Sequence, residues 1–209
     1  MKKSKRSALR KAAAAGLAVM LFLLCGVTAM GARFNDVSSS AYYYEAVNWA
    51  VDTGITTGAS SASFAPNQTC TRAQMVSFLW RAVGKPKPKS GTKAFSDVSP
   101  SAYYYDAVMW AAGSGITMGA ADGRFDPDGY CTRAQAVSLI HRMLGEPEPA
   151  ANSVFTDVSS GAYYYNAVMW ASGEGITHGV SKNRFSPDTV CTRAEIITFL
   201  YRSYNMFMG

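Results

Sequence analysis

The stretch FNDVSSSAYYYEAVNWAVDTGIT begins at Phe34 and returns as FSDVSPSAYYYDAVMWAAGSGIT from Phe95 and as FTDVSSGAYYYNAVMWASGEGIT from Phe155. Each copy is followed by a second shared stretch, which reads CTRAQMVSFLWR, CTRAQAVSLIHR and CTRAEIITFLYR in turn. Corresponding positions are 61 and then 60 residues apart. A fixed period of this length indicates a repeat architecture. Three equivalent units also favour a repeated binding surface over a single catalytic centre.

The first shared stretch predicts a helix. In the first copy, Tyr44, Val47 and Val51 recur at spacings of three and four residues, which places them on one helical face. Asp36 and the serines that follow it are the candidate N-caps, and Gly54 is the expected end of the helix. The segment after this helix is rich in Gly, Ser and Thr and predicts a loop.

The second shared stretch predicts a second helix, which is opened by a capping box. Thr71 is the N-cap, and Gln74 three residues later returns its side chain to the cap. The same pair recurs as Thr132 with Gln135 and as Thr192 with Glu195. Two short helices bury little apolar surface alone, so the three units must share one core. We therefore predict an all-α, mainly helical fold, with three tandem two-helix repeats in a pseudo-threefold arrangement around a central helix bundle.

The N-terminal residues 1–32 have the pattern of a secretory signal peptide. A basic segment precedes an uncharged apolar run at 12–27, and small residues follow it. The alternative is a membrane anchor, but the run is shorter than the roughly 20 residues that a spanning helix needs. The other predicted boundaries are 33–84, 95–145 and 155–209 for the repeats, and 85–94 and 146–154 for two Pro-containing linkers.

Removal of this leader would change the charge of the protein. The chain has 20 Lys and Arg against 14 Asp and Glu, and six of the basic residues but none of the acidic ones lie in residues 1–32. The rest of the chain is therefore balanced. Binding to nucleic acid needs a surviving basic excess, so we expect no nucleic-acid partner.

The principal candidate site residues are Arg72, Arg133 and Arg193. Each follows the N-cap threonine directly, in the first turn of a helix, where the helix dipole disfavours a cation by about 0.3–1 kcal/mol. A negative group is therefore expected opposite each one. One alternative is an ion pair with a protein carboxylate, such as Asp36 or its counterparts in the other repeats. The other is an anionic ligand, held by the guanidinium beside free N–H groups of the helix.

The second candidate set comes from the tyrosine triplets, whose first members are Tyr42, Tyr103 and Tyr163. Three consecutive residues of a helix cannot all face the core, so at least one ring is expected at a surface or at a groove between repeats. An exposed ring with a hydroxyl suits the face of a sugar as well as a protein contact.

Other recurrent residues are expected to be structural. We predict that the cysteines are small buried hydrophobes, with a disulfide or a thiolate metal site as the alternatives. The tryptophans are expected mainly in the core, and His141 aligns with Trp80 and Tyr201, which makes it an aromatic-position residue and not a catalytic base. No repeated carboxylate pair or nucleophile–base set occurs, so neither an enzyme nor a cofactor is expected. The cysteines and tryptophans concerned are Cys70, Cys131 and Cys191, and Trp49, Trp110 and Trp170.

The order FxDV, Tyr-rich helix, GIT-x-G, F-x-P and TRA[QE] resembles the S-layer homology domain, which is found in threes on bacterial surface proteins. The resemblance runs from Phe34 to about Tyr204. It implies a three-pronged helical fold and non-covalent attachment to a secondary cell-wall polysaccharide linked to peptidoglycan, often one carrying ketal-linked pyruvate. In the family, the arginine of the TRAE motif helps to bind this anionic sugar in grooves between repeats. That role carries over to Arg72, Arg133 and Arg193.

The chain departs from the family pattern at several positions. The family's early tryptophan is replaced by Tyr42, Tyr103 and Tyr163, and the glutamate of the motif survives only as Glu195. The Asp-Gly turn before F-x-P is intact only as Asp122-Gly123. The three grooves are therefore predicted to be unequal.

These patterns together predict a secreted, non-enzymatic protein of the bacterial cell wall or cell surface. Its proposed binding residues are the three arginines, the three tyrosines and the Asp122-Gly123 turn. The alternative is a protein–protein adaptor on the cell surface, which would bind a surface-protein partner through the same repeat surface.

Overall fold

The computed structural model describes residues 34–149 and 155–208, and six α-helices make up its regular structure. They are α1 (Tyr44–Asp52), α2 (Arg72–Ala82), α3 (Tyr105–Gly113), α4 (Arg133–Met143), α5 (Tyr165–Gly173) and α6 (Arg193–Met208). Each repeat contributes two helices joined by turns and loops, as the sequence predicts. The predicted signal peptide and the end of the second linker lie outside the described residues.

The second helices of the three repeats, α2, α4 and α6, pack against one another and form the central bundle. Each first helix packs on the second helix of the preceding repeat, so that α3 lies on α2 and α5 on α4. The ring closes where α1 packs on α6, with the ring of Trp49 5.5 Å from Tyr201 and 5.3 Å from Tyr204. The predicted pseudo-threefold bundle is confirmed, and its repeats are interlocked.

The three cysteines meet at the centre of this arrangement. The Cys70 N–H donates to the Cys191 carbonyl at 2.9 Å, Cys131 donates to Cys70 at 2.9 Å, and Cys191 donates to Cys131 at 2.8 Å. This closed ring joins all three repeats through their backbones. The side chains are fully buried free thiols, which confirms the prediction of small buried residues.

The ends of the helices follow the sequence in part. The capping box of α2 is formed as predicted, because the Gln74 N–H donates to Thr71 Oγ1 at 3.2 Å and the Thr71 N–H donates to Gln74 Oε1 at 3.2 Å. The expectation that Asp36 caps α1 is wrong, since α1 begins after Tyr43 without a side-chain cap. Successive turns separate Asp36 from the helix.

The α6 helix is longer than the other two second helices. In repeats one and two, Gly84 and Gly145 follow the second helix with φ of 82° and 80°, a left-handed conformation that favours glycine. Asn205 takes this position in repeat three, and α6 continues to Met208. Within residues 34–149 and 155–208, every helix is too short or too polar to cross a bilayer.

Candidate functional site

The first turn of each second helix docks on the next repeat. The Arg72 N–H donates to the Gly129 carbonyl at 2.8 Å, and the Ala73 N–H donates to the Pro127 carbonyl at 3.0 Å. The same pair of bonds recurs from Arg133 and Ala134 to Thr189 and Pro187, and from Arg193 and Ala194 to Gln68 and Pro66. The expectation that these helix-start N–H groups are free to hold an anion is therefore wrong, because neighbouring carbonyl groups already accept from them.

The side chains of the three helix-start arginines are also drawn into the neighbouring repeat. Their residues are 8%, 3% and 5% exposed for Arg72, Arg133 and Arg193. Each Nε donates to the carbonyl of a phenylalanine in the next repeat, at 2.9, 2.9 and 3.0 Å respectively. Each guanidinium also lies 5.0, 5.0 and 4.9 Å from the ring centre of that phenylalanine. Carbonyl dipoles and ring faces thus offset part of the cost of burying the cation. The phenylalanines are Phe125, Phe185 and Phe64.

The carboxylates that were expected opposite these arginines lie elsewhere. Asp97 accepts from the N–H groups of Phe125 and Asp126, both at 2.8 Å, and Asp36 and Asp157 bind their own F-x-P turns in the same way. The alternative of an ion pair between these aspartates and the helix-start arginines is therefore wrong. Burial alone would raise the pKa of each carboxyl, but the hydrogen bonds outweigh it and hold the pKa below its usual value.

A different carboxylate does pair with one helix-start arginine. Arg133 Nη1 donates to Glu195 Oε1 at 3.1 Å, and Arg133 Nη2 donates to Thr177 Oγ1 at 3.3 Å. Among the described residues, the other two helix-start arginines form no ion pair. The corresponding residues in the other repeats are glutamines, Gln74 and Gln135, which form no such pair.

A second arginine recurs in each second helix, and its role was not predicted from the sequence. Arg81, Arg142 and Arg202 are half-buried and donate from Nη1 to the carbonyls of Ile55, Ile116 and Ile176, at 3.2, 3.4 and 3.1 Å. Each lies nine residues after the first arginine, about two and a half turns, so the two point to opposite sides of the helix. Every central helix therefore supplies one arginine to each of two flanking grooves. The available signal was the arginine that ends all three copies of the second shared stretch.

One groove between repeats is an open cavity of about 380 Å³. We call it groove 1–2, and its defining residues are Arg72 from repeat one, Thr117, Gln135 and Arg142 from repeat two, and Tyr163 from repeat three. The equivalent residues define groove 2–3 and groove 3–1. Groove 2–3 consists of Arg133, Thr177, Glu195, Arg202 and Tyr42, and groove 3–1 consists of Arg193, Thr56, Gln74, Arg81 and Tyr103.

Each groove has an exposed tyrosine at its edge. Tyr42, Tyr103 and Tyr163 are 63%, 65% and 64% exposed, and each packs edge-on against the following tyrosine at 5.0 Å. Partial burial raises the pKa of each hydroxyl, so it stays a hydrogen-bond donor. Tyr103 interacts electrostatically with both Arg81 and Arg193, which places it beside the two cations of groove 3–1.

The predicted Asp122-Gly123 element lies apart from these residues. It forms an exposed turn with φ of 48° and 73°, and the Gly123 carbonyl accepts from the Ser96 N–H at 3.1 Å. Neither residue is among those that line the cavity of groove 1–2.

The remaining recurrent residues serve the core. Trp110 and Trp170 are buried as expected, while Trp49 is half-buried. His141 shares a hydrogen bond with the Pro147 carbonyl at 2.9 Å, and Trp80 Nε1 donates in the same way to Pro86. The structure thus confirms that His141 fills an aromatic position.

Comparisons with known proteins identify the family of this chain. The model of the S-layer homology domain matches residues 33–76, 94–137 and 154–197, which is more than half of the chain. A cell surface protein of Thermoanaerobacter kivui is 30% identical over 179 residues, which cover 84% of this chain and 22% of that protein. The surface-layer 125 kDa protein of Lysinibacillus sphaericus is 32% identical over 106 residues, covering 51% of this chain and 9% of the relative.

Endo-1,4-beta-xylanase A of Thermoanaerobacterium saccharolyticum is 35% identical over 113 residues, covering 53% of this chain and 10% of the enzyme. The chain thus spans about a fifth or less of the length of these relatives. A threefold match of the family model agrees with the three interlocked repeats of the fold. The chain belongs to the S-layer homology domain family.

Proposed function

We propose that this protein attaches non-covalently to the bacterial cell wall by binding an anionic polysaccharide linked to peptidoglycan. The observation that carries the proposal is the composition of the grooves. Each combines two arginines from successive repeats with an exposed tyrosine from the remaining repeat. No single repeat holds all three groups, so the binding surface depends on the assembled ring.

The chemistry of these side chains suits an acidic sugar polymer. Guanidinium N–H groups donate to carboxylate or phosphate oxygens in short, charge-assisted bonds. A tyrosine adds a ring face for the apolar face of a sugar and a hydroxyl for its polar edge. A ketal-linked pyruvate on the sugar would present a carboxylate of the required charge, and we propose it as the specific anionic group of the polymer.

The relatives support a role at the cell surface. A cell surface protein and a surface-layer protein share the matched region, whereas the related xylanase shares only 10% of its length with this chain. We therefore propose a non-enzymatic attachment role for this region, in a protein exported by the signal peptide predicted at residues 1–32.

A protein–protein adaptor is the second candidate, and one observation favours it. In groove 2–3, Nε, Nη1 and Nη2 of Arg133 all donate within the protein. When an arginine makes all of its hydrogen bonds within the protein, it is not available to an anionic ligand. The repeat surface would then bind a partner through its shape and through apolar contacts. Exposed Met118, Tyr130 and Val180 would contribute to such contacts.

Adsorption to purified cell-wall sacculi tests the proposal. The protein should adsorb to intact sacculi and lose adsorption after acid extraction of the wall polysaccharide. The double variants Arg81→Ala/Tyr103→Ala and Arg142→Ala/Tyr163→Ala should adsorb more weakly. Arg124→Ala and Arg184→Ala are matched controls, because both remove an exposed arginine that lies at an F-x-P turn. Equal adsorption before and after extraction would reject the polysaccharide and favour the adaptor.

A further inference from the structure

We propose that groove 3–1 is the dominant anion site of this protein, and that Arg193 and Arg81 there receive a compact anionic group such as a carboxylate or phosphate. This inference deepens the proposed function and rests on it. It follows from a comparison of the three grooves, whose sequences have diverged at the positions that set their charge.

Groove 2–3 is neutralised by the protein itself. Glu195 occupies the place where an anionic ligand would meet Arg133, and the two side chains pair at 3.1 Å. With the hydrogen bond from Arg133 Nη2 to Thr177 Oγ1, all three nitrogen atoms of this guanidinium have a partner within the protein. An incoming anion would have to displace Glu195 from Arg133 and would be repelled by the negative charge of Glu195.

Groove 1–2 has its cations balanced by nearby carboxylates. Asp126 lines the cavity together with Arg72 and Arg142. The second arginine also has a partner of its own, since Arg142 Nε lies 3.9 Å from Glu146 Oε1. The acidic linker continues along the same side of the protein, where Glu148 lines a neighbouring cavity with Arg142 and Tyr163.

Groove 3–1 lacks a carboxylate at each of these three positions. Gln74 stands where Glu195 stands in repeat three, Ala65 where Asp126 stands in repeat two, and Lys85 where Glu146 stands. The linker beyond it is basic instead of acidic, with Lys87 and Lys89 exposed. The groove therefore combines two arginines with basic neighbours.

The guanidinium of Arg193 also has a nitrogen atom that forms no hydrogen bond within the described part of the protein. Its Nε donates to the Phe64 carbonyl, but Nη2 is buried and has no hydrogen-bond partner among the described residues. The same atom of Arg133 donates to Thr177 Oγ1, so groove 3–1 and groove 2–3 differ at this atom. The cation lies between the rings of Phe64 and Phe78, at 4.9 and 5.5 Å from their centres, which fixes its position.

Arg193 interacts electrostatically with Asp36, but no carboxylate among the described residues forms an ion pair with it, and a buried cation without such a pair raises the free energy of the folded protein. Burial also lowers the pKa of Arg193 below its usual value, because desolvation disfavours the charged form. An anion that enters the groove offsets this cost. Ligand binding here should consequently stabilise the protein, as any ligand of the native state does.

Exchange of glutamine and glutamate between the repeats tests the assignment with little disturbance of the fold. In Gln74→Glu, the new carboxylate should pair with Arg193 as Glu195 pairs with Arg133. The capping box should persist, because the Thr192 N–H donates to Glu195 Oε2 at 2.8 Å in repeat three. Gln135→Glu makes the same change in groove 1–2 and is the matched control. Glu195→Gln removes the carboxylate from groove 2–3.

Adsorption to intact sacculi is measured for all three variants. Gln74→Glu should weaken adsorption by roughly ten- to a hundredfold, the effect expected when a hydrogen bond between charged groups is lost. Gln135→Glu should have a smaller effect, and Glu195→Gln, which frees Arg133 for an anion, should increase adsorption. A larger loss in Gln135→Glu than in Gln74→Glu would overturn the assignment of groove 3–1.

A titration with inorganic phosphate separates this inference from the proposed function. The arginine Nε–H signals of the wild-type protein are followed by nuclear magnetic resonance at constant ionic strength. The Arg193 signal should shift most, and Gln74→Glu should abolish that shift. If the protein fails to adsorb to sacculi but this shift is seen, the polysaccharide is rejected and the anion site is retained. Equal shifts of Arg72, Arg133 and Arg193 would reject the site.

Discussion

Arg133 of the second repeat and Glu195 of the third form an ion pair at 3.1 Å that crosses the boundary between repeats. The arginine side chain is almost fully buried, and the glutamate also takes part in the capping box of α6. One carboxylate thus stabilises a helix start and neutralises a groove. The grooves of Arg72 and Arg193 lack this contact, although all three repeats share the same backbone arrangement.

Loss of the arginine should cost more than loss of the glutamate charge. Arg133→Ala should lower the free energy of unfolding by about 3 kcal/mol, the scale for breaking a buried ion pair by removing one partner. Glu195→Gln should cost about 1.5–2.5 kcal/mol, because glutamine keeps the cap, as in the other two repeats, but leaves the buried Arg133 without its carboxylate. Urea denaturation measures both values. An unchanged free energy of unfolding in Glu195→Gln would contradict the contact described here.

Acid should destabilise the protein through the aspartates that bind the F-x-P turns. The pKa of Asp36, Asp97 and Asp157 is lowered in the folded protein from the usual 3.8. Their contribution to stability is therefore fully present above the usual value and is lost as the pH falls through the lower, folded value. Melting temperatures should fall steeply below about pH 4.

The variant Asp157→Asn should show a weaker dependence of the melting temperature on pH in this range. Asp122→Asn is the control, because Asp122 lies in an exposed turn and accepts no bond from an F-x-P turn. An unchanged acid profile in Asp157→Asn would show that the hydrogen bonds from Phe185 and Ser186 do not set the acid sensitivity.

Close packing around Gly119 should make it much less replaceable than the nearby Gly115. Gly115 and Gly119 both have positive φ, 75° and 89°, but a Cβ at Gly119 would lie 2.5 Å from the Arg124 carbonyl oxygen and 2.7 Å from the Phe95 ring, while space at Gly115 is open. Gly115→Ala should cost about 1–2 kcal/mol from backbone strain alone. Gly119→Ala should cost clearly more, since the loop must also move. Thermal unfolding of the two variants measures the difference, and equal costs would argue against the close approach of Phe95.

The three core thiols should be unreactive in the folded protein. Burial raises the pKa of Cys70 to about 12 and raises the pKa of Cys131 and Cys191 as well, so the reactive thiolate is scarce. A thiol reagent such as Ellman's reagent should react with them only after denaturation. Fast labelling of any of the three under native conditions, followed by mass spectrometry of the peptides, would contradict their place at the centre of the ring.

The sequence predicted the main features of the fold because those features are local and repeated. The period of 61 and 60 residues, the apolar spacing around Val47 and the capping box at Thr71 follow from short stretches of chain. Burial of the cysteines was also predictable from their residue type and from their place before each second helix. The sequence further indicated unequal grooves, since the position of Glu195 in repeat three is occupied by glutamine, Gln74 and Gln135, in the other two repeats.

Only the tertiary structure decided which residues meet. The helix-start N–H groups are occupied by carbonyls of the next repeat, and Asp36 binds the turn at Phe64 instead of a helix or an arginine. The grooves assemble from three repeats, so Arg193 and Arg81, which are more than 100 positions apart, both lie beside Tyr103. Local patterns determine helices and caps because these depend on neighbouring residues. The contacts of a charged side chain depend on how the ring closes, which no single stretch of sequence specifies.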